Sequence, residues 1–353
     1  MNSIQTDIIA AGCTFPSGPT LALASVALRT QLALTRSHPF CVDRCGNPVK
    51  TSHFPQTTLN FTNERWQILA YNALQDALRH APYAATLPSR LWLILPSSDR
   101  AGVPAQLENM IAASLKTALP GCNHVTVLRG GHAEGGVAIT QIMQPDLHSA
   151  HHIDIVLAVD SWQHPDALMW LETEHLLHGS HQIFGRETCI NPYGRVPGEG
   201  AAVLILAAKS SQHRWCIVEG LATTVETVLH NEQRPCLGLG LTQAARQAIK
   251  QAGTTQVTHL VTDMNGEPYR SDEYGFTVSR LNRLLDANFI RMAPVLAAGD
   301  LGCASAIAHA ALSAWHLKLS PTNAREQHLI LSSSDDEQRC AMVLGNTTGR
   351  ISV

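Results

Sequence analysis

Charged and aromatic residues are both scarce in this 353-residue sequence. Asp, Glu, Lys and Arg together make up 15% of the chain and Phe, Trp and Tyr 5%, whereas hydrophobic residues reach 45%. No run of like charges occurs and the formal net charge is only −3. The charge pattern therefore gives no reason to expect disorder, and none to expect nucleic acid or an anionic membrane as a partner.

Long apolar runs and targeting features are lacking as well. The most apolar early segment, "TLALASVALRTQLAL" at 20–34, is interrupted by Arg29 and is too short to cross a bilayer. The opening "MNSIQTDIIAAG" has no basic region of the kind that begins a secretory signal peptide. We therefore expect no membrane span, a cytoplasmic location and reduced cysteines.

The sequence has no clear signature of a metal or an organic cofactor. Cys41 and Cys45 form a C-x3-C pair, but no second pair follows at zinc-finger spacing, and no glycine fingerprint for a nucleotide is present. The 18 histidines include two clusters, at 148–152 and 175–181. We interpret both clusters as solvated surface, with a metal site at either one as the alternative. No cofactor and no metal are expected.

Apolar strands alternate with helical patterns along the whole chain. Strand patterns occur at "TDIIAAGCTF", "RLWLILP", "HVTVLRGG", "IDIVLAVDSW" and "EGAAVLILAA". From Arg214 a similar order begins again with "RWCIVEGLATTVE", the amphipathic helix "LTQAARQAIKQAG" and the strand "VTHLVTDMNGE". The segment "SDEYGFTVSRLNRLLDA" is predicted to be helical, and "EQHLILSSSDDEQRCAMVLGN" a closing hairpin. This order predicts an α/β fold with two pseudo-repeated halves, 1–212 and 213–353.

Several segments, in the right order, resemble the β-ketoacyl synthases, the condensing enzymes of the thiolase-like superfamily. They are "DIIAAGCTFPSG", "PYGRVPGEGAAVLIL", "RWCIVEGLATT" with "GLTQAARQAIKQAG", "DMNGEPYRSDEYGF" and "AAGDLGCASAIAHAAL". The resemblance implies five layers, αβαβα, in which helices sandwich two mixed sheets. It also implies a dimer formed by an edge strand of the first half, and acyl thioesters or an acyl carrier protein as partners.

The resemblance also identifies the positions of the condensing triad. The chemistry needs a cysteine thiolate at a helix N-terminus and two imidazoles that stabilise a developing oxyanion. In "TVLRGGHAEGGVAITQ" the cysteine position holds His132. In "MNGE" the first imidazole position holds Asn265, or Met264 if the loop is shifted by one residue. In "GDLG" the second holds Asp300, whose carboxylate would repel an enolate.

Other residues around these positions are expected to line the site. Gly131 and Glu134 flank His132, while Gly299 and Cys303 flank Asp300, and we assign these four to substrate binding. The glycine-rich closing loop of the family is replaced by "SSSDDEQRCA". We interpret Glu199 in "PGEG" as a structural acceptor of hydrogen bonds. Ser161 lacks the Gly-x-Ser-x-Gly elbow and is not assigned a catalytic role.

The leading hypothesis is a ketosynthase-like protein of fatty-acid, polyketide or polyene biosynthesis that lacks the triad. Chain-length-factor subunits of the family are similar, since they lack the cysteine and complete the acyl tunnel of a partner ketosynthase. A second hypothesis is an acyltransferase or hydrolase of acyl thioesters that uses His132, with Glu134 or Asp300, or a relocated nucleophile at Cys303. A third is a scaffold that binds an acyl carrier protein through Arg186, Arg195 and Arg270.

Overall fold

The computed structural model describes most of the chain. It covers residues 6–56, 61–144, 152–180, 190–208, 214–232, 234–321 and 325–346. Four residues of the sequence analysis lie outside these ranges. They are His148 and His151 of the first histidine cluster, His181 of the second, and Arg186, a candidate for docking.

The first half contains the five predicted strands and two short hairpins. Its strands are β1 (Thr6–Thr14), β2 (Arg36–Val42), β3 (Pro48–Thr51), β4 (Ser89–Leu95), β5 (Cys122–Arg129), β6 (Ile153–Ser161), β7 (Gly179–Ser180), β8 (Ile190–Asn191) and β9 (Glu199–Ala207). Its helices are α1 (Leu21–Arg29), α2 (Glu64–His80), α3 (Leu107–Leu115), α4 (Glu134–Ile142) and α5 (Pro165–Thr173).

The second half repeats the order of the larger elements. Its strands are β10 (Cys216–Val225), β11 (Val257–Thr262), β12 (Leu285–Met292), β13 (Gln327–Ser333) and β14 (Gln338–Gly345). Its helices are α6 (Leu239–Ala252), α7 (Pro268–Leu281), α8 (Val295–Ala298) and α9 (Ser305–Leu319). The predicted stop of α6 at Gly253 is confirmed, because this residue has a φ of +64°.

Ten strands among the described residues form one sheet, in the order β12-β11-β13-β14-β10-β1-β9-β6-β4-β5. The outer three strands of each end are parallel, and the inner pairings are antiparallel. From the outer edge inwards, the strand order is β5-β4-β6-β9-β1 in the first half and β12-β11-β13-β14-β10 in the second. The two halves therefore share the same order and the same strand directions. The expected pseudo-repeat is therefore confirmed in the topology, whereas the boundary at 212/213 stays a prediction.

The expectation of two separate sheets needs one correction. β1 and β10 pair over three positions, Thr6 with Val218, Asp7 with Ile217 and Ile8 with Cys216, and so join the two five-stranded groups. The first strands of the two halves thus meet at the centre of the molecule.

Helices cover both faces of each five-stranded group and give the expected five layers. α2 and α3 pack on the outer face of the first group, and α6 packs on that of the second with α7 against it. α4 and α9 lie between the two groups, where α9 contacts strands of both. Its "SAIAHAAL" sequence is buried on every side, because small side chains allow a helix to fit between two sheets.

Three further expectations concern membrane spans, the cysteines and the end of helix α7. None of the helices in the described ranges combines the length and hydropathy that a bilayer crossing requires. Cys45 is disulfide-bonded, so the expectation that all cysteines are reduced is wrong for this residue. The helix predicted through Ala287 ends at Leu281, and β12 follows it after a short 3-10 turn.

Candidate functional site

His132 lies in the tight turn between β5 and α4. Only 2% of its surface is exposed. A Cβ atom on Gly131 would come within 2.7 Å of the Ser334 side chain, so glycine allows this turn to pack against the β13–β14 loop. The Ser334 hydroxyl accepts a hydrogen bond from the Ala133 amide at 3.0 Å. The turn is thereby fixed with the His132 side chain pointing into the protein.

Asp300 is held in place by backbone bonds to the "VPGEG" segment. Its amide donates to the Val196 carbonyl at 2.8 Å, and its carbonyl accepts from the Gly198 amide at 2.9 Å. Gly299 directly before it has a φ of +73°, and a Cβ there would lie 2.9 Å from Gly198 Cα. Glycine is therefore needed at 299 both for its backbone conformation and for this close approach.

The three residues that the sequence analysis assigned to the triad positions meet in one buried cluster. His132 Nε2 lies 2.8 Å from Asp300 Oδ1, although the residues are 168 positions apart. Asn265, in the loop after β11, donates from Nδ2 to Asp300 Oδ2 at 2.7 Å. The Gly302 amide also donates a hydrogen bond to Asp300 Oδ1, at 2.8 Å. The structure therefore brings together all three residues that the sequence assigned to catalytic positions.

Two buried arginines extend this cluster into a network of ion pairs. Arg270 Nη2 lies 3.2 Å from His132 Nδ1, and Arg195 Nη1 lies 3.6 Å from Asp300 Oδ2. Both guanidinium groups bind Asp335, at 2.8 Å from Arg195 Nη2 and 2.9 Å from Arg270 Nη2. Arg195 Nε also donates to Glu267 Oε1 at 2.6 Å. Asp335 belongs to "SSSDDEQRCA", so the closing loop is tied to the cluster by two arginines.

The contact with Arg270 determines the tautomer of His132. A guanidinium can only donate, so Nδ1 must accept from Arg270 and Nε2 must carry the proton that Asp300 accepts. Burial opposes a charge on the ring, but Asp300 and Asp335 together raise the pKa of His132 above its ordinary value. Burial and the two aspartates act on this pKa in opposite directions. The contact with Arg270 favours the neutral ring, because a protonated Nδ1 would place two hydrogen-bond donors face to face. His132 is therefore neutral and has no free lone pair.

Asp300 is ionised at neutral pH. Burial alone would raise its pKa, but the neighbouring His132, Arg195 and Arg270 hold the pKa of this carboxyl well below its ordinary value. The site thus holds a buried negative charge next to His132, and such a charge does not stabilise an oxyanion.

Glu134 and Cys303 do not join the hydrogen bonds of this cluster. Both ring nitrogens of His132 are taken by Asp300 and Arg270, so Glu134 is not its acid–base partner. Burial, reinforced by Asp336, raises the pKa of Glu134 to about 7. The Cys303 thiol points to the Val159 carbonyl at 3.3 Å, and burial raises its pKa well above the ordinary value. A buried thiol of raised pKa is a poor nucleophile, so the structure gives a relocated cysteine no support.

Sequence reasoning missed the charged residues that close the network. Arg195 and Arg270 were expected on a docking surface, but only 1% and 3% of their surfaces are exposed, so this expectation is wrong. Glu267 and Asp335 were not recognised as their partners. His309 on α9 was missed too; burial lowers its pKa to about 4, so it is a neutral imidazole close to the cluster. The sequence signal that could have indicated these ion pairs is the presence of oppositely charged residues within otherwise apolar segments.

Glu199 has the structural role that the sequence predicted. It is fully buried and pairs with Arg65, whose Nη2 donates to Glu199 Oε1 at 2.7 Å. The same oxygen accepts from the Phe54 amide at 2.7 Å, and Ser161 Oγ donates to Oε2 at 3.3 Å. Ser161 is thus a partner of Glu199.

Comparison with known proteins gives matches in structure alone. No family model matches the chain, and no curated protein does. The ishigamide ketosynthase/chain length factor superposes with a TM-score of 0.69 at 17% identity, over 96% of this chain and 99% of its own. The type II polyketide ketosynthase AntDE, solved with its acyl carrier protein AntF, gives 0.76 at 13% identity over 98% and 100%. A ketosynthase from module 6 of the Bacillus subtilis bacillaene synthase gives 0.73 at 14% over 98% and 72%.

These likenesses confirm the fold that the sequence motifs implied. The chain has the thiolase-like fold of ketosynthases and chain length factors over nearly its whole length.

Proposed function

We propose that this chain is a ketosynthase-like protein of fatty-acid, polyketide or polyene biosynthesis that does not condense acyl groups. It acts as a chain-length-factor-like partner of an active ketosynthase. The observation that carries the proposal is the state of the cysteine position. His132 stands there, is neutral, and uses both ring nitrogens in hydrogen bonds to Asp300 and Arg270. It can neither take an acyl group as a thiolate does nor accept a proton.

The surrounding ion pairs support a structural use of the former catalytic centre. A substrate carbonyl next to His132 would have to displace Asp300 or Arg270 from a buried network. Removing one partner of a buried ion pair costs about 3–5 kcal/mol, because the other charge is left without compensation. The network therefore favours a protein that keeps the scaffold and leaves the chemistry to another subunit.

The edge strand β5 is the surface we assign to the partner. β5 is the last strand of the sheet on this side, and in the described part of the chain only β4 pairs with it. Val125 and Val127 on this strand are 41% and 38% exposed. An exposed apolar edge strand is a ready surface for pairing with another chain. Strand pairing across a twofold axis would give a homodimer or a heterodimer with a ketosynthase.

The dimer proposal is tested on the intact chain, alone and co-expressed with a ketosynthase encoded beside it. Light scattering after size exclusion gives the mass of each complex. The double variant V125K/V127K places charges on the edge and is expected to abolish the complex. V42K is the matched control, because Val42 is 63% exposed on a strand outside the ten-stranded sheet. The proposal fails if the unaltered chain neither pairs with itself nor binds such a ketosynthase.

Glu134 favours one alternative, an enzyme that hydrolyses or transfers acyl thioesters. Its carboxyl stands at the start of α4 and its pKa of about 7 suits a general acid or base at neutral pH. Turnover of acyl-CoA thioesters by the purified chain is the measurement. Loss of turnover in E134Q together with its retention in H132A would support this alternative. An acyl carrier protein stays a proposed partner whose docking residues are other than Arg195 and Arg270.

A further inference from the structure

Three histidines and a glutamate form a cluster in the second half of the protein. His259 on β11 and His328 on β13 are register partners on neighbouring strands. His316 comes from α9, and Glu326 directly precedes β13. Each residue offers a nitrogen or oxygen atom, and these four atoms all lie within 4.8 Å of one another. The cluster shares no residue with the His132 network.

Several ring nitrogens in this cluster are buried without a hydrogen bond. His328 is fully buried, and neither of its nitrogens has a partner among the residues that the structure describes. His259 is 4% exposed, and its Nε2 is likewise unpartnered within the described ranges. The two rings stack with centroids 4.1 Å apart, which packs them but satisfies no polar atom. A buried polar group left unpaired costs about 1–3 kcal/mol, so three such atoms need an explanation.

The hydrogen bonds around His259 show that its unpartnered Nε2 is unprotonated and has a free lone pair. Thr258 Oγ1 donates its hydrogen to the Gln327 carbonyl at 3.0 Å and accepts from the Gln327 amide at 2.9 Å. Its contact with His259 Nδ1 at 2.9 Å must therefore use a lone pair of the hydroxyl, which places the proton on Nδ1. Nε2 of the neutral ring is then a free electron-pair donor. A second hydrogen bond that fixes the tautomer in this way is typical of metal-ligating histidines.

The charges of the cluster also suit a cation. Burial, with smaller contributions from neighbouring imidazoles, lowers the pKa of both His259 and His328, so these rings are neutral. Glu326 supplies a carboxylate whose Oε2 lies 3.4 Å from His316 Nε2. Ser320 Oγ donates to the same oxygen at 2.5 Å and orients it.

We propose that His259, His316, His328 and Glu326 bind one divalent transition-metal ion of the zinc type. Three imidazoles and a carboxylate are ligands that Zn²⁺ prefers, whereas Mg²⁺ and Ca²⁺ favour oxygen. Tetrahedral coordination at about 2.0–2.1 Å brings ligand atoms to about 3.3 Å from one another, so the side chains close inward when the ion binds. Four protein ligands leave no open position, so the ion would tie β11, β13 and α9 together.

A cavity gives an ion access to the cluster. His259 and His316 both line a space of about 610 Å³ whose other walls include Met264, Tyr274 and Arg291. These two ligands are therefore within reach of an ion without unfolding of the sheet.

The test uses the full-length protein after treatment with a chelator. Calorimetric titration with Zn²⁺ is expected to give one site per chain, and titration with Mg²⁺ or Ca²⁺ none. Co²⁺ is the second probe, because a tetrahedral site with nitrogen ligands gives it an intense visible absorption. Zn²⁺ is expected to raise the melting temperature as its concentration increases, since it binds the folded state.

Two variants at half-exposed ligands identify the site. H316Q and E326Q are each expected to weaken Zn²⁺ binding by about 100-fold or more and to remove the Co²⁺ absorption. The control is H175Q/H178Q, which removes histidines of a surface cluster and is expected to leave both signals unchanged. No stoichiometric Zn²⁺ binding to the unaltered chain overturns the proposal. The proposal is also overturned if Zn²⁺ binding is lost in the control or kept in both ligand variants. If the ligand variants fold poorly, the Co²⁺ spectrum of the unaltered chain tests the site by itself.

Discussion

Arg270 donates a hydrogen bond to Nδ1 of His132 across 3.2 Å, between a helix of the second half and the elbow of the first. This contact occupies the ring nitrogen that Asp300 leaves available. A histidine at a nucleophile elbow is a general base only while one nitrogen keeps a free lone pair. The arginine therefore leaves His132 without the free lone pair that a general base needs.

The protonation state of His132 follows from this pair of contacts. We expect the neutral Nε2–H tautomer at pH 8 in the folded protein, because Arg270 must donate to Nδ1. Long-range ¹H–¹⁵N correlation spectra of ¹⁵N-histidine-labelled protein distinguish this tautomer from an imidazolium, and H132Q identifies the signal. In R270Q the pKa of His132 is expected to rise further, because Arg270 lowers it, so the ring should become protonated at a higher pH than in the unaltered protein. An imidazolium signal in the unaltered protein at pH 8 contradicts the assignment.

A cysteine introduced at position 132 is expected to react slowly. In H132C the thiol would face the Asp300 carboxylate, and a neighbouring negative charge raises a thiol pKa. The double variant H132C/D300N is expected to be alkylated by iodoacetamide about threefold faster for each unit by which the thiol pKa falls, because the gain in thiolate outweighs its lower nucleophilicity. Intact-protein mass spectrometry measures both rates, with D300N as the control for the other cysteines. Equal rates in the two variants would show that Asp300 does not control this position.

The unaltered chain and the variant H132C/D300N together test the acylation of the site. Incubation with acyl-CoA or acyl-carrier thioesters is expected to give no covalent adduct on the unaltered chain. An adduct on H132C/D300N alone would mean that the pocket still admits an acyl thioester. An adduct on the unaltered chain, mapped by peptide analysis, would instead support an enzyme.

The sequence predicted the fold well because its strongest signals are local. β1, β4, β6 and β9 are continuous apolar runs, and such runs are typical of strands that are buried on both faces. β12 was missed because an edge strand is half-exposed: "LDANFIRM" mixes Asp286 and Asn288 with apolar residues and continues a helical pattern. The joined sheet was missed because three pairs between Thr6–Ile8 and Cys216–Val218 leave no periodic signal.

The candidate site was predictable in position but not in its interactions. The motifs around His132, Asn265 and Asp300 placed all three residues correctly in one cluster. That Asn265 binds Asp300, and that Arg195 and Arg270 are buried, depends on contacts between segments 35 to 140 positions apart. Such pairing has no spacing rule, so the arginines were assigned to the surface by their general preference for it.

Glu134 should make the stability of the protein depend on pH. Its folded-state pKa of about 7 lies above the unfolded value of about 4.3, so the folded state binds the proton more tightly. Its contribution is therefore fully present below the unfolded pKa and is lost as the pH rises to about 7. E134Q is expected to match the unaltered chain in urea denaturation at pH 4.5 and to exceed it at pH 8. E64Q, at an exposed position on α2, is the control and should follow the unaltered chain at both pH values. A constant difference between E134Q and the unaltered chain would refute the linkage.

The ion pair of Arg65 and Glu199 should couple the α2 helix to β9. Glu199 is fully buried and Arg65 only 2% exposed, so either single change breaks an ion pair inside the core. We expect E199A and R65A each to lower the free energy of unfolding by about 3–5 kcal/mol. In the double variant R65A/E199A the loss should be clearly smaller than the sum, because both single losses include the same ion pair. Chemical denaturation of the four proteins gives the coupling energy, and D99N, a change at an exposed carboxylate, should stay within about 0.5 kcal/mol of the unaltered chain. Additive losses would mean that Glu199 acts mainly through the Phe54 amide and Ser161, which donate hydrogen bonds to its carboxylate independently of Arg65.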